Sequence, residues 1–249
     1  MKTGAVIPCY NHGSTLVPIV EALVQQGLPV LIVNDGSNAA TTEQIQCLTD
    51  DTTVLSLHLA ENGGKGHAVM AGLRFLYEKS YTHALQIDAD GQHDWNMIPE
   101  FVKLSHQFPN DVISGVPVYD QAIPKTRLIG RYATHLSVWL ETLSFEIKDA
   151  MIGFRIYPLN DCIRLFDSHS LGQQMDFDIE ILVRLYWQGL SIRSIRVPVY
   201  YPEHGISHFK ALDDNLKISW LHTRLIAGML TRIPQLITRH KVTVEQTLV

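Results

Sequence analysis

Two carboxylates one residue apart, Asp88 and Asp90, follow the run Leu85-Gln86-Ile87. Gly91, the amide of Gln92 and the imidazole of His93 come directly after them. Along an extended segment residues i and i+2 face the same side, so both carboxylates can converge on one ion just past a strand end. Hard oxygen ligands with open neighbouring positions suit Mg²⁺ or Mn²⁺ holding a substrate's phosphates better than they suit zinc. An isolated Asp-x-Asp is more often a turn closed by Asp-Gly, so the metal reading depends on its company. A second feature is Glu61-Asn62-Gly63-Gly64-Lys65-Gly66, which opens a helix. Bare backbone N–H groups, a helix N-terminus and one cation together suit a diphosphate; the plain alternative is a glycine-rich surface turn with a solvated lysine. It is not a P-loop, because the spacing and the Ser/Thr after lysine are missing. No G-x-G-x-x-G follows the first strand, so a dinucleotide fold has no fingerprint here.

These residues need a scaffold, and the chain supplies alternating elements. Apolar strands are predicted over 4–8, 30–33, 54–59, 84–88, 112–116 and 191–199. Helical periodicity fills 14–26, with Ser14 as N-cap, and then 41–48, 65–76, 95–108, about 124–145 and 175–188. Such alternation implies crossover units and a mostly parallel sheet. In that architecture the ligand crevice lies beyond the carboxyl ends of the strands. Tyr10 and Asn11, Asp35, and the Asp88/Asp90 pair all fall there.

With 249 residues the chain can bury a substantial core without staples. A net charge of −5 argues against a general nucleic-acid binder. The three cysteines, Cys9, Cys47 and Cys162, have no Cys-x-x-Cys spacing and read as free thiols of a reducing compartment. Neither a signal peptide nor a membrane span is apparent, so a cytoplasmic protein is expected, soluble or peripheral on a membrane.

The set Ile7-Pro8-Cys9-Tyr10-Asn11, Val33-Asn34-Asp35-Gly36-Ser37, Asn62–Gly66 and Asp88-Ala89-Asp90-Gly91-Gln92-His93 resembles glycosyltransferase family 2. Within it, the dolichol-phosphate mannosyltransferase-like branch is the nearest match, over roughly 4–205. The resemblance implies an α/β GT-A fold, Rossmann-like, with helices flanking the sheet. It also implies a nucleotide-diphosphate sugar donor, a divalent metal and transfer with inversion. By that resemblance Pro8, Tyr10 and Asn11 line the nucleotide, Asp35 binds base or ribose, and Lys65 lies near the diphosphate. Asp88, Ala89 and Asp90 contact the donor, and Asp88, Asp90 and Gln92 hold Mg²⁺ or Mn²⁺. His12 stands where the family often has glutamate, and Asn34 where it often has aspartate.

The second half concerns the acceptor. Lys125, Arg127 and Arg131 put three cations within two helical turns, with Arg127 and Arg131 on one face. A basic face is ordinarily just solvated, but by resemblance this one faces a lipid-linked or lipid-phosphate acceptor. Asp149 and Arg155, in Asp149-Ala150-Met151-Ile152-Gly153-Phe154-Arg155, resemble the segment beside the donor sugar. Asp149 reads equally as a sugar-orienting group or a turn cap, and Arg155 as an acceptor contact. Asp178, six residues before Arg184, matches the family's general base, although Phe177 replaces the usual neighbouring acid. A hydroxyl acceptor needs such a base, whereas a phosphate acceptor arrives ionised and needs only positioning. Two units are expected: a GT-A domain over 1–209 and a helical appendage over 210–249. The appendage's basic amphipathic stripe either packs on its own domain or touches a membrane surface through 210–240. Two rival readings are a catalytically idle nucleotide-sugar binding module and a sugar nucleotidyltransferase. The latter lacks its usual glycine- and arginine-rich loop after the first strand.

Overall fold

The computed structural model describes residues 1–119, 125–200 and 211–239; within these, the side chains at 125–129 and 211–212 are not described. Part of the expected appendage, residues 240–249, and the end of the expected GT-A unit, 201–209, lie outside the described residues.

Strands and helices alternate through the first half: β1 (Thr3–Cys9), α1 (Gly13–Gln25), β2 (Val30–Asp35), α2 (Ala39–Leu48), β3 (Val54–Leu59), α3 (Lys65–Glu78) and β4 (His83–Gln86). A 3₁₀ turn (Trp95–Met97) leads into α4 (Ile98–Gln107), β5 (Val112–Tyr119) and α5 (Lys125–Thr142). Then follow β6 (Arg155–Pro158), α6 (Leu159–Ser168), α7 (Phe177–Trp187), β7 (Ile192–Val199), α8 (Ala211–Leu230) and α9 (Ile233–Thr238). The seven strands form one sheet in the order β3-β2-β1-β4-β6-β5-β7. Only β6 runs against its neighbours, pairing antiparallel with β4 and β5.

Side-chain alternation divides the core into two layers. From β1, Ala5 and Ile7 face Leu16, Ile19 and Leu23 of α1, while Val6 faces Val69 and Leu73 of α3. Helix α3 comes close because Gly72 has no side chain: a Cβ there would stand 2.6 Å from Val6 and 2.9 Å from Val33. On the same layer α8 buries Ile218, Leu221, Leu225 and Met229.

Three local expectations change. Helix α1 is capped at His12 with no side-chain cap bond, not at Ser14. The helix expected from Trp95 begins as a 3₁₀ turn, its N–H groups served by Asp94, whose carboxylate accepts from Asn96. Strand β6 and helix α6 were not expected at all. β6 is four residues long and buried on both faces, so it shows no alternation for a sequence pattern to report. Helix α8 ends at Leu230, and α9 carries Pro234 in its first turn, where the missing N–H costs no helical bond.

Candidate active site

The carboxyl ends of β1, β2 and β4 meet at one edge, and the polar groups found there are tied together. Asn11, with φ of +57°, donates its N–H to Ser37 Oγ (3.1 Å) and accepts at Oδ1 from the Asn38 N–H (2.8 Å). The loops after β1 and β2 are thereby joined, with Pro8 and Tyr10 half-buried beside them. Asp35 is buried, and its two oxygens accept the N–H groups of Gly63 and Gly64, each at 2.9 Å. Its carboxylate therefore holds the glycine loop. Gly64 has φ of +98°, and a Cβ there would stand 2.6 Å from the Gln173 carbonyl, so the loop needs glycine at this point.

That clamp fixes the start of α3 and aims Lys65. Its Nζ lies 2.8 Å from Asp88 Oδ2 and 2.7 Å from Asp178 Oδ2. Burial opposes the charge on Lys65, but Asp178 and Asp88 together outweigh it and raise its pKa above the ordinary lysine value. Burial likewise acts to raise the Asp88 pKa, and Lys65 with His93 reverses that, holding the carboxyl well below the usual range. Behind Lys65 the polar chain continues into the core. Asp178 Oδ1 accepts from Gln86 Nε2 (3.2 Å), and Gln86 Oε1 accepts from the Tyr157 hydroxyl (3.2 Å). Arg155 donates to the Asp178 carbonyl (2.7 Å) and to the Tyr157 oxygen (3.2 Å).

The expected catalytic and acceptor residues Asp178, Arg155 and Asp149 are buried and already partnered. Asp178 is only 3 % exposed and already holds a cation. Arg155 has no exposed surface; it supports Asp178 from behind and presents nothing to an acceptor. Asp149 takes the turn role: Oδ1 accepts the N–H groups of Met151 and Ile152 (both 2.9 Å). Its Oδ2 lies 2.5 Å from Arg131 Nε and 3.1 Å from His135 Nε2. Burial raises the Asp149 pKa and these two neighbours outweigh it, so the carboxyl is held well below its usual range. Arg131 is thus committed to Asp149, while Lys125 and Arg127 open α5 with side chains outside the described set.

Asp90 stays half-exposed, its Oδ1 accepting the Gln92 N–H at 3.0 Å, and Ala89 between the two acids is buried. Asp88 Oδ1 is buried with no hydrogen-bond partner among the described residues, as are both ring nitrogens of His93. His93 Nε2 lies 3.8 Å from Asp88 Oδ2. No three His, Cys, Asp or Glu side chains among the described residues converge as a protein-only metal cage. Orphaned carboxylate oxygen beside a second, open carboxylate fits a hard cation that draws most of its ligands from phosphate and water, as Mg²⁺ and Mn²⁺ do. Asp88 and Asp90 are the residues that would hold it; the main chain of Gln92 braces Asp90.

Four members of this network, Gln86, Tyr157, Arg155 in its buried role and His135, went unread or misread. Gln86 did leave a signal, an amide inside an otherwise apolar strand. Tyr157 left none, because β6 was itself invisible.

The chain is similar to the undecaprenyl-phosphate mannosyltransferase of Micrococcus luteus, 23% identical over 222 residues covering 84% of this chain and 87% of that protein. It is likewise 23% identical over 232 residues to the polyprenol monophosphomannose synthase of Mycolicibacterium smegmatis, covering 87% and 83%. Among solved structures it resembles glucosyl-3-phosphoglycerate synthase from Mycobacterium tuberculosis in complex with phosphoglyceric acid, with a TM-score of 0.65 at 16% identity over 99% of this chain and 88% of that one. The same enzyme with Mn²⁺ and UDP-glucose gives a TM-score of 0.62 at 17% identity, covering 93% and 78%. These likenesses show the GT-A fold. The family model for glycosyl transferase family 2 matches residues 5–172, and the chain belongs to that family of glycosyltransferases.

Proposed function

We propose that this glycosyltransferase moves a sugar from a nucleotide-diphosphate donor to a polyprenyl-type lipid phosphate, with inversion and with the help of a divalent cation. The observation that carries this reading is the state of the two candidate bases. Asp178 is buried against Lys65, and Asp149 is saturated by Arg131, His135 and two N–H groups. Neither is placed to deprotonate an acceptor hydroxyl, nor to attack the sugar in a double displacement. An acceptor that arrives ionised needs neither service. Its phosphate oxygen forms the new bond to the anomeric carbon on one face as the bond to the nucleoside diphosphate breaks on the other, which inverts the centre. In this reading Lys65, held between Asp88 and Asp178, offsets the charge that the leaving diphosphate gathers. A divalent ion bound at Asp88 and Asp90 would supply further charge neutralisation there. Similarity to two enzymes named for polyprenol-phosphate mannosylation supports the acceptor class. Such acceptors place the reaction at the cytoplasmic face of a membrane.

The test begins with a panel of nucleotide-sugars screened by thermal shift with and without Mn²⁺. Release of nucleoside diphosphate is then followed with polyprenyl phosphate and with the matching free polyprenol. Turnover with the phosphate alone, abolished by Asp90→Ala, is expected. Turnover that requires the free alcohol, or that survives Asp90→Ala with its metal dependence intact, overturns the reading.

A further inference from the structure

Lys65 and a divalent cation compete for one carboxylate. Asp88 Oδ2 carries the Lys65 ammonium at 2.8 Å, which leaves Oδ1, buried and without a hydrogen-bond partner among the described residues. Asp90 likewise has one oxygen engaged, Oδ1 accepting the Gln92 N–H. Asp88 has little room to turn, because it is packed against the backbone of Gly153: a Cβ there would stand 2.1 Å from Oδ1 and 2.2 Å from Oδ2. The lysine is the part that can move. Its backbone root is fixed, since Asp35 clamps the N–H groups of Gly63 and Gly64 just before it. Its other anchor is fixed too: Asp178 is held at its side chain by Gln86 and at its carbonyl by Arg155. Between those two points the flexible four-carbon stem lets the ammonium leave Asp88 and keep Asp178, which it meets at 2.7 Å.

We propose that Lys65 holds a divalent cation off Asp88 until a diphosphate draws the ammonium away, so that metal and donor bind as a pair. The inference deepens the donor reading and rests on it for the identity of the diphosphate. Its physical ground is charge. A cation on Asp88 and Asp90 with the ammonium still in contact puts a double and a single positive charge on one carboxylate. Even with the screening of bulk water, that repulsion weakens cation binding about tenfold or more, and a part-buried site screens less. A diphosphate reverses the sign, because its negative oxygens give the ammonium and the cation a shared partner. The arrangement also serves the chain when no ion is bound: Lys65 stands in for the cation, so the carboxylates of Asp88 and Asp178 keep a counter-charge.

The experiment measures Mn²⁺ binding to the full chain without nucleotide, from the electron paramagnetic resonance signal of the free ion. The double variant Lys65→Met, Asp178→Asn loses one cation and one anion together, so the charge around Asp88 is unchanged and no buried carboxylate is left unpaired. It should bind Mn²⁺ at least about tenfold more tightly than wild type, and adding Asp90→Ala should abolish the gain. An affinity that is unchanged or weaker in the double variant overturns the proposal. Should that variant melt below the assay temperature, Lys65→Gln, whose amide still donates to Asp178, replaces it, and no gain there is equally fatal. The measurement is then repeated with UDP, GDP, CDP, ADP and dTDP. The most effective of these should tighten Mn²⁺ binding at least about tenfold more in wild type than in the variant, since coupling between two ligands is reciprocal. Equal tightening in both proteins also overturns the proposal. If no nucleotide tightens binding in either protein, the donor reading falls, and the competition at Asp88 stands on the nucleotide-free gain.

Discussion

Asp178→Asn separates a catalytic base from a buried counter-charge. The amide keeps the shape of the carboxylate and can still meet Gln86, but it removes one of the two anions that hold Lys65, at 2.7 Å. Breaking a buried ion pair costs about 3–5 kcal/mol. Lys65 keeps Asp88 at 2.8 Å, so the lower end, about 3 kcal/mol, applies here. For a chain of this length that is roughly 6–12 °C in melting temperature. The looser lysine should also weaken donor binding, raising KM for the nucleotide-sugar. If no proton is taken from the acceptor, kcat at saturating donor with a lipid-phosphate acceptor should stay within about tenfold of wild type. A general base would behave otherwise, its loss lowering kcat by about 10²–10⁴-fold. Release of nucleoside diphosphate measured against donor concentration, alongside thermal melting of both proteins, decides the matter. A kcat loss of a hundredfold or more with unchanged melting temperature and unchanged donor KM would refute the counter-charge argument.

Two further changes probe the same crevice. A Cβ at Gly153 would stand 2.1 Å from Asp88 Oδ1, so Gly153→Ala must push that carboxylate off its seat. A shift of about 1 Å in a reacting constellation costs on the order of a hundredfold, and donor turnover should fall by that much with only a small loss in melting temperature. Asp149 bears on pH. Its folded pKa lies below the unfolded value, so the unfolded chain binds more protons and stability drops as pH falls through about 4. Asp149→Asn should melt well below wild type at pH 7, with the gap closing as both are titrated toward pH 3; a gap constant across that range would show that Arg131 and His135 do not stabilise the charge.

The parallel half of the fold was legible because each of its strands is an apolar run ended by a polar group, and each helix announces itself by periodicity. Asp35, Lys65, Asp88 and Asp90 could be placed at one edge on that basis alone, since strand ends of a parallel sheet share an edge. What could not be read was which of those groups the others already occupy. Asp35 looks like a ligand contact in sequence, and only the fold shows both its oxygens taken by Gly63 and Gly64. Asp178 matches a family spacing, but spacing along α7 says nothing about Lys65, 113 positions earlier, arriving from another helix. The difference between a base and a counter-charge is a difference of neighbours at long range: Lys65 comes from α3, Gln86 from β4 and Arg155 from β6. Being short, buried on both faces and antiparallel, β6 has neither alternation nor a crossover to betray it, yet it delivers Arg155 to the Asp178 carbonyl and Tyr157 to Gln86. The partners of Asp178 were therefore closed to the sequence for a physical reason: Lys65 reaches it from α3, and Arg155 reaches it from a strand whose pattern carries little information.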